Sequence, residues 1–333
     1  MVNFWSLVLI VAGYLAQTRC FRPVVITSDA FKQHRVANGF HPESPDRIAA
    51  VQAMIARLEA EQKIEVRKPT AESDKEEESI AMQSIRLAHS DDYIRKVYAL
   101  SRGGARLLDP FDDDTYLNTF SFQQCVLAQS AWINAAEHCK RTGGVAFALT
   151  RPPGHHAGRE TSSGFCIFNF AAATAKYALK NKLADRVAIF DFDVHFGQGT
   201  CDIISSDPKI FYASCHQIGI YPSPRGSADE RGQHNNILSL PLPAGATFEH
   251  YMTVLDNVIP AIKAFDPQLL VVSAGYDALK ADELADISLR PEDFGNIAGE
   301  LRRHFGNIVF GLEGGYDLTE MPLALQHTIE AFL

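Results

Sequence analysis

The stretch that decides the fold runs from residue 187 to residue 195 and reads Val-Ala-Ile-Phe-Asp-Phe-Asp-Val-His. Its first half, 187–190, is apolar and rich in β-branched and aromatic residues, which is typical of a strand buried on both faces. Its second half adds Asp191, Asp193 and His195, whose side chains can bind a metal ion. A buried strand that ends in such residues predicts an α/β fold with a site at the strand end.

Other apolar runs repeat this pattern, at 145–149, 210–213, 269–272 and 308–310. Helix-like segments at 171–180, 248–265 and 291–303 lie among them. This alternation predicts a parallel sheet covered by helices on both faces. Each run is followed by polar or glycine-rich residues, and ligands of open parallel sheets bind beyond the carboxyl ends of the strands. We therefore expect these segments to meet at one edge.

Composition limits the classes of function. The chain has 333 residues, 46% of them hydrophobic, and a formal net charge of −9. Such a charge provides no basic surface for nucleic acid, so no direct nucleic-acid binding is expected. The six cysteines lack CxxC spacing, which argues against a disulfide framework or a cysteine zinc site. Because the chain contains no repeat or linker, a single domain is predicted.

Residues 1–20 differ from the rest of the chain. They contain an apolar run at 4–12, followed by small residues of the kind that signal peptidases cut after. The run is short for a membrane span and lacks the usual basic start. Two predictions stay open: a secretory or organellar targeting segment, or an extra strand or helix on a cytoplasmic or nuclear protein.

Asp193, His195 and Asp277 are the predicted metal ligands. Two carboxylates and one imidazole leave an open coordination position, as in catalytic rather than structural zinc sites. The same oxygen-rich set would also accept iron(II) or another divalent metal. Zinc is the favoured prediction.

Two further elements suggest catalysis. His155 and His156 follow a stiff Pro-Pro-Gly turn and could divide general-base and general-acid work, or could form a surface pair. Tyr316 follows Gly314-Gly315 and could donate a hydrogen bond to an oxyanion, or could be a core tyrosine at a turn.

Together these elements resemble the signature blocks of the histone deacetylase family. The matching blocks are 41–47, 89–93, 151–156, 164–169, 191–195, 273–277 and 312–316. The Arg-Pro-Pro and Leu-Glu-Gly-Gly forms are most similar to its class II branch and to bacterial acetylpolyamine amidohydrolases. The resemblance covers roughly residues 24–333, so we predict a single catalytic domain over residues 21–333.

The resemblance implies an arginase/deacetylase fold, with an eight-stranded parallel sheet between helical layers. It implies one zinc ion held by Asp193, His195 and Asp277, and a structural potassium ion held by Asp191 and Ser214. The implied acid/base pair is His155 and His156, with Asp191 bound to His155. Tyr316 would polarise the acyl carbonyl, and Phe165 and Tyr221 would form the walls of an acyl-lysine tunnel.

The chain departs from the family pattern at three positions. Phe196 replaces a common histidine, and Gln198 stands where relatives have aspartate or asparagine. A neutral Gln198 would not raise the pKa of His156 as a carboxylate would, so His156 is predicted to act as a base at neutral pH. Tyr221 replaces the usual phenylalanine and adds a hydroxyl to the tunnel.

The predicted activity is hydrolysis of acyl-lysine side chains in peptides or proteins. In polyamine-specialised relatives, a glutamate lies seven residues after the last zinc aspartate, and Leu284 occupies that position here. Its neighbour Glu283 would reverse this inference if the loop were shifted by one residue, so acylated polyamines are the alternative substrate. A catalytically dead acyl-lysine-binding module is a further alternative, supported only by Phe196 and Gln198. A ureohydrolase is disfavoured because Gly197 replaces an additional aspartate.

Overall fold

The computed structural model describes residues 22–70, 79–104, 106–109 and 112–333. Its strands are β1 Val24–Ile26, β2 Glu65–Arg67, β3 Arg106–Asp109, β4 Asp112–Leu117, β5 Val145–Ala148, β6 Val187–Asp191, β7 Ile210–Gln217, β8 Ile237–Leu242, β9 Leu269–Ala274 and β10 Ile308–Leu312. Eight of them form one parallel sheet in the order β2-β1-β5-β10-β9-β6-β7-β8. The predicted eight-stranded parallel sheet is therefore confirmed. The targeting segment proposed at residues 1–20 lies outside the described residues.

The central strands are apolar because both of their faces are covered. Every residue of β5, β6, β9 and β10 is buried. Full burial of a valine, leucine, isoleucine or phenylalanine side chain stabilises the fold by about 1.5–3 kcal/mol. The continuous apolar runs of the sequence thus mark the middle of the sheet, whereas the edge strand β2 is only partly buried.

The helices are α1 Asp46–Ala60, α2 Ile80–Ala88, α3 Asp91–Arg102, α4 Ser121–Thr142, α5 Phe170–Lys180, α6 Gln198–Ile204, α7 Phe248–Phe265, α8 Pro291–His304 and α9 Glu320–Glu330. The predicted helices correspond to α5, α7 and α8. Local chemistry sets their starts: the Asn169 side chain accepts a hydrogen bond from the Ala172 N–H, and α8 begins with Pro291.

Two adjacent residues of β10 show that helices and the chain end cover opposite faces of the sheet. The ring of Phe310 packs against Phe332, which follows α9, with 5.5 Å between the centroids. A Cβ built on the next residue, Gly311, would lie 1.9 Å from the ring of Trp132 in α4. Because successive residues of a strand point to opposite faces, α4 and the C-terminal segment sandwich the sheet.

Candidate active site

Five neighbouring strands carry the predicted site residues to one edge of the sheet. In spatial order these strands are β5, β10, β9, β6 and β7. The paired histidines follow β5, Tyr316 follows β10, Asp277 follows β9, and Asp193 follows β6. All these strands are parallel, so their carboxyl ends share one edge and residues far apart in the chain converge there.

Asp193, His195 and Asp277 form a compact cluster in which one potential ligand atom from each residue lies within 4.8 Å of the others. Nδ1 of His195 lies 3.1 Å from Oδ2 of Asp277 and 3.2 Å from Oδ1 of Asp193. Both carboxylates are buried. The structure therefore brings together the three residues predicted as metal ligands.

The backbone around the cluster holds each carboxylate in place. The N–H of Gly314 donates to Oδ2 of Asp193 at 2.8 Å, and the N–H of Val194 donates to Oδ1 of Asp277 at 3.0 Å. A Cβ built on Gly314 would lie 2.1 Å from Oδ2 of Asp277, so a glycine is required at this close approach. The Gly-Gly pair before Tyr316 therefore makes room for the cluster as well as for the turn.

The electrostatics of the cluster fit a divalent cation. Burial and the neighbouring Asp193 carboxylate raise the pKa of Asp277 to about 7. Burial lowers the pKa of His195, but its hydrogen bonds to Asp193 and Asp277 outweigh this and raise it to about 10. Two buried carboxylates repel each other, and a positive charge between them relieves the repulsion. Two oxygen donors and one imidazole nitrogen are a donor set that zinc accepts.

The paired histidines lie beside this cluster. Both are buried, so the alternative of a surface pair is wrong. Nδ1 of His155 lies 3.0 Å from Oδ2 of Asp191, whereas Nδ1 of His156 lies 2.7 Å from Oε1 of Gln198. One histidine thus has a charged partner and the other a neutral one.

Burial and the surrounding charges move the two pKa values in opposite directions. Burial lowers the pKa of His155, but the carboxylates of Asp193 and Asp191 outweigh it and raise the pKa well above its usual value. Burial and the positive charges of His155 and His195 lower the pKa of His156 well below its usual value. These shifts favour a protonated His155 beside a neutral His156, an arrangement that suits a proton donor beside a proton acceptor.

Asp191 and Ser214 are neighbours in the sheet, paired in the register of β6 and β7. Asp191 accepts hydrogen bonds from the hydroxyl of Tyr212 at 2.9 Å and from the N–H of Asp193 at 3.2 Å. Oγ of Ser214 hydrogen-bonds Nδ1 of His216 at 2.9 Å. The two residues predicted to share a potassium ion therefore lie side by side, and the ion itself stays a prediction.

Tyr316 lines the same cavity and is only partly buried, so the alternative of a core tyrosine is wrong. Its ring meets that of Phe165 edge-on at 5.7 Å, and the guanidinium carbon of Arg47 lies 4.8 Å from its ring centroid. Its backbone N–H donates to Oδ2 of Asp282 at 2.6 Å. Burial raises the pKa of Tyr316 well above its usual value, so the phenol stays protonated and can donate a hydrogen bond.

The cavity at this edge has a volume of ≈ 240 Å³. It is lined by Asp114, Pro153, His155, His156, Gly164, Phe165, Asp193, His195, Tyr221, Leu284 and Tyr316. The predicted tunnel residues Phe165, Tyr221 and Leu284 are all among them. Glu283 is exposed and is not a lining residue, so the one-residue shift that would bring a glutamate into the cavity does not occur.

Sequence reasoning missed the role of Glu313. Its buried Oε2 accepts hydrogen bonds from the N–H groups of Gly154 at 2.6 Å and His155 at 3.1 Å. Its Oε1 accepts one from Oγ of Ser273 at 3.1 Å. Glu313 therefore ties the ends of β10 and β9 to the turn that carries the histidines. The available signal was a glutamate directly after a wholly apolar run.

A buried ion-pair cluster was also missed. The Glu43 carboxylate accepts a hydrogen bond from Nη2 of Arg151 at 2.7 Å, and Nη1 of Arg47 lies 3.4 Å from its Oε1. Nε of Arg47 donates to the carbonyl of Gly315 at 2.7 Å. All three charged side chains are fully buried. They connect the start of α1, the histidine turn and the segment before Tyr316.

The structure shows what surrounds the residues at which the chain departs from the family pattern or from a ureohydrolase. Phe196 is buried and its ring packs 4.8 Å from that of His216, so it serves the core. Gln198 is the first residue of α6 and contacts His156, so the partner of this histidine is a neutral amide and not a carboxylate. A Cβ built on Gly197 would lie 2.5 Å from Oδ2 of Asp191, so the additional aspartate of a ureohydrolase would not fit without rearrangement.

A parallel eight-stranded sheet with a carboxylate–imidazole cluster, paired histidines and a tyrosine at its carboxyl edge defines the arginase/deacetylase class of α/β proteins. Within this class, the family profile described as "Histone deacetylase domain" matches residues 41–332. The chain belongs to that family, whose hydrolytic deacetylase chemistry agrees with the site.

Named relatives cover most of the chain. Histone deacetylase 10, chloroplastic, of Oryza sativa subsp. japonica is 37% identical over 325 residues, which are 92% of this chain and 72% of that protein. An uncharacterised protein of Synechocystis is 36% identical over 310 residues, covering 93% of this chain and 99% of that protein. Polyamine deacetylase HDAC10 of Danio rerio is 32% identical over 265 residues, which are 75% of this chain and 39% of that protein.

Among solved structures, the HD domain of HDA15 superimposes with a TM-score of 0.84 at 28% identity. The match covers 94% of this chain and 89% of that one.

Proposed function

We propose that the protein is a zinc-dependent hydrolase that removes acyl groups from lysine side chains of peptides or proteins. The observation that carries this proposal is the convergence of Asp193, His195 and Asp277 in one cavity with paired histidines and Tyr316. Such a convergence provides a cation site, a proton acceptor, a proton donor and an oxyanion donor within one enclosure.

Asp193, His195 and Asp277 would hold one zinc ion per chain. When bound, zinc lowers the pKa of a water molecule and polarises an acyl carbonyl. The alternative of iron(II) rests on the two oxygen donors of the same cluster. Asp191 and Ser214 would hold a structural potassium ion, and Asp191 also orients His155.

The paired histidines would move the protons of the hydrolysis. His156 is neutral and accepts the proton of the attacking water at Nε2, because its Nδ1 is engaged with Gln198. His155 is protonated and can give a proton to the leaving amine as the C–N bond breaks. The acyl carbon takes the hydroxyl group of the water and the amine takes a proton from His155. Proton exchange with solvent then returns His156 to its neutral form and His155 to its protonated form.

Tyr316 would donate a hydrogen bond to the acyl oxygen as negative charge develops on it. Its hydroxyl is protonated, and its backbone is held by Asp282 while Arg47 lies against its ring. A positioned phenol of this kind does not need to reorganise when the charge appears. These observations oppose the reading of the protein as a catalytically dead binding module.

The cavity wall favours acyl-lysine over acylated polyamine. Phe165 and Tyr221 would flank the methylene chain, and Leu284 adds an apolar group where a polyamine enzyme needs a carboxylate for the cationic chain. The polyamine alternative rests on the relative named polyamine deacetylase. Because Glu283 is exposed and does not line the cavity, we place acyl-lysine first.

We assign the whole of residues 21–333 to one catalytic domain without direct nucleic-acid binding, given the net charge of −9. Among the described residues, no helix is both long enough and apolar enough to span a membrane. Since a plant relative is named chloroplastic, we propose that residues 1–20 direct the chain to an organelle. A fusion of residues 1–20 to a fluorescent protein that stays in the cytosol would contradict this assignment.

A substrate panel on protein of measured zinc content tests the main proposal. We expect hydrolysis of acetyl-lysine peptides with kcat/KM at least about tenfold above that for acetylspermidine. Chelation should abolish the activity and added zinc should restore it. A clear preference for acetylspermidine would replace lysine by polyamine, and zinc-loaded protein inactive on all acylated amines would support the binding-module reading.

A further inference from the structure

The side-chain amide of Gln198 contacts the acid/base pair at one end and the tunnel wall at the other. Its Oε1 lies 2.7 Å from Nδ1 of His156. Its Nε2 donates to Oγ of Ser163 at 2.9 Å and to the hydroxyl of Tyr221 at 3.4 Å. Nε2 also lies 3.4 Å from the carbonyl oxygen of His156. One neutral side chain therefore bridges two parts of the site.

These contacts determine how the amide is oriented. The carbonyl oxygen of His156 can only accept hydrogen bonds, so the NH₂ group of Gln198 faces it and the amide oxygen faces Nδ1 of the His156 ring. Because an amide oxygen can only accept, the ring proton lies on Nδ1. The lone pair of His156 is therefore on Nε2, at the opposite side of the ring from Gln198.

The wall and the histidine are also packed together. The ring of Tyr221 meets that of His156 edge-on, with 4.9 Å between their centroids. A Cβ built on Gly164 would lie 2.5 Å from Cδ2 of His156 and 2.9 Å from Cε1 of Tyr221, so no space separates them at this point. Oγ of Ser163 in turn donates to the carbonyl of His156 at 3.1 Å. A displacement of Tyr221 would therefore be transmitted to His156.

We propose that Gln198 is a positioning residue that couples Tyr221 in the tunnel wall to the orientation of His156. This inference rests on the proposed function. Tyr221 is 45% exposed and faces the cavity, so a substrate chain seated in the tunnel lies against it. A slender methylene chain leaves the Tyr221–Gln198 contact intact, whereas a bulky chain moves the ring and misaligns His156. The shape of the substrate chain would then change kcat as well as KM.

A double-mutant cycle on an acetyl-lysine peptide tests the coupling, using Tyr221→Phe, Gln198→Leu and the combination of both. Tyr221→Phe keeps the ring and removes only the hydroxyl. We expect it to lower kcat about fivefold, the effect of one ordinary hydrogen bond, with KM changed less than about twofold. In the Gln198→Leu background the same change should alter kcat less than about twofold, because the contact is already lost.

Controls separate coupling from general damage. Tyr98→Phe removes a hydroxyl that contacts Arg102 and does not line the cavity, so it should leave kcat unchanged. Zinc content and the thermal midpoint are measured for every variant. If Gln198→Leu does not fold, Gln198→Asn replaces it, since the shorter amide cannot reach both His156 and Tyr221.

The results can refute the coupling separately from the proposed function. Equal effects of Tyr221→Phe in both backgrounds, or an effect on KM alone, would refute the coupling while leaving the proposed function intact. A zinc-loaded parent protein that does not hydrolyse acyl-lysine would overturn the proposed function and the coupling with it.

Discussion

A Cβ built on Gly275 would lie 2.1 Å from Oδ2 of Asp193, so these two residues approach more closely than any side chain at position 275 allows. Gly275 follows β9 and Asp193 follows β6, the neighbouring strand. The loop after β9 can pass Asp193 only because residue 275 has no side chain. This close approach brings Asp277, two residues further along, to the same cluster.

Gly275→Ala should therefore displace the Asp193 carboxylate and weaken zinc binding by about 10- to 100-fold, as the loss of a supporting contact does in metal sites. The measurement is a zinc titration against a competing chelator. Gly299→Ala is the matched control, because Gly299 lies in α8 with nothing within 4 Å of an added Cβ. It should leave zinc affinity unchanged, and equal affinities in both variants would contradict the argument.

Asp277→Ala and Tyr316→Phe should separate metal binding from turnover. Asp277→Ala removes a proposed ligand and should lose zinc and activity together. Tyr316→Phe leaves the metal cluster intact but removes the oxyanion donor, so it should keep zinc and lower kcat by about 10²–10³-fold. Zinc content and steady-state kinetics are measured on the same samples. Full activity of Tyr316→Phe would refute the role of the phenol.

The pH dependence of kcat/KM should reflect the lowered pKa of His156. Burial and the nearby positive charges disfavour its protonated form, so the base remains active as the pH falls below 6.5, the ordinary value for histidine. Gln198→Glu is the informative comparison. A carboxylate at Nδ1 favours the protonated ring and should move the acid limb to higher pH. An acid limb of the parent protein above pH 7, with zinc retained, would contradict the assignment.

Glu43→Gln should lower the free energy of unfolding by about 3–5 kcal/mol, because it leaves Arg151 charged and buried without its partner. Burial raises the pKa of Glu43, but Arg151 and His34 outweigh it and lower the pKa to about 2. The pKa is depressed on folding, so the stabilisation is complete above about pH 4.5 and is lost as the pH falls toward 2.

Denaturant unfolding of both proteins across this pH range measures the effect of Glu43→Gln. Glu65→Gln serves as the control, because it breaks a solvent-exposed pair with Arg67 and should cost less than about 1 kcal/mol. A difference between parent and Glu43→Gln that did not shrink in acid would show that the pair is not its source.

Leu284→Glu should shift specificity toward acetylated polyamines. Leu284 lines the cavity, so a carboxylate there would attract the secondary ammonium of a polyamine chain. The ratio of kcat/KM for acetylspermidine to that for acetyl-lysine peptide should rise about tenfold or more. Glu283→Leu changes an exposed neighbour outside the cavity and should leave the ratio unchanged. A ratio altered equally by both variants would show that neither residue selects the substrate.

Much of the site could be predicted from the chain because each polar segment directly follows an apolar strand. The periodicity of 187–190 and 269–272 indicated parallel strands, and parallel strands must deliver Asp193 and Asp277 to one edge. The signature blocks added the roles expected of His155, His156 and Tyr316. Each of those roles is assigned from a short motif, and every such motif can be read directly from the sequence.

The supporting groups were not predictable in the same way. Glu313 and Arg47 each make key contacts with backbone atoms, whose direction depends on how loops from different strands pass each other. The pairing of Glu43 with Arg151 spans 108 positions of the chain. A local sequence pattern cannot predict a contact between residues so far apart. Counting from Asp277 favoured Leu284, but a shift of one residue would have placed Glu283 there instead, and only the folded loop decides which of the two lines the cavity.

The sequence by itself therefore determined the central strands of the sheet, three of the helices and which residues follow each of those strands, because burial on two faces imposes a pattern that is local. Only the tertiary structure decided the partner of each polar group. Hydrogen bonds act over about 3 Å, so they form only between groups that the fold brings together. The pKa values of His155 and His156 separate only in the folded chain, because the carboxylates of Asp193 and Asp191 outweigh burial at His155, whereas burial and the charge of His155 lower the pKa of His156.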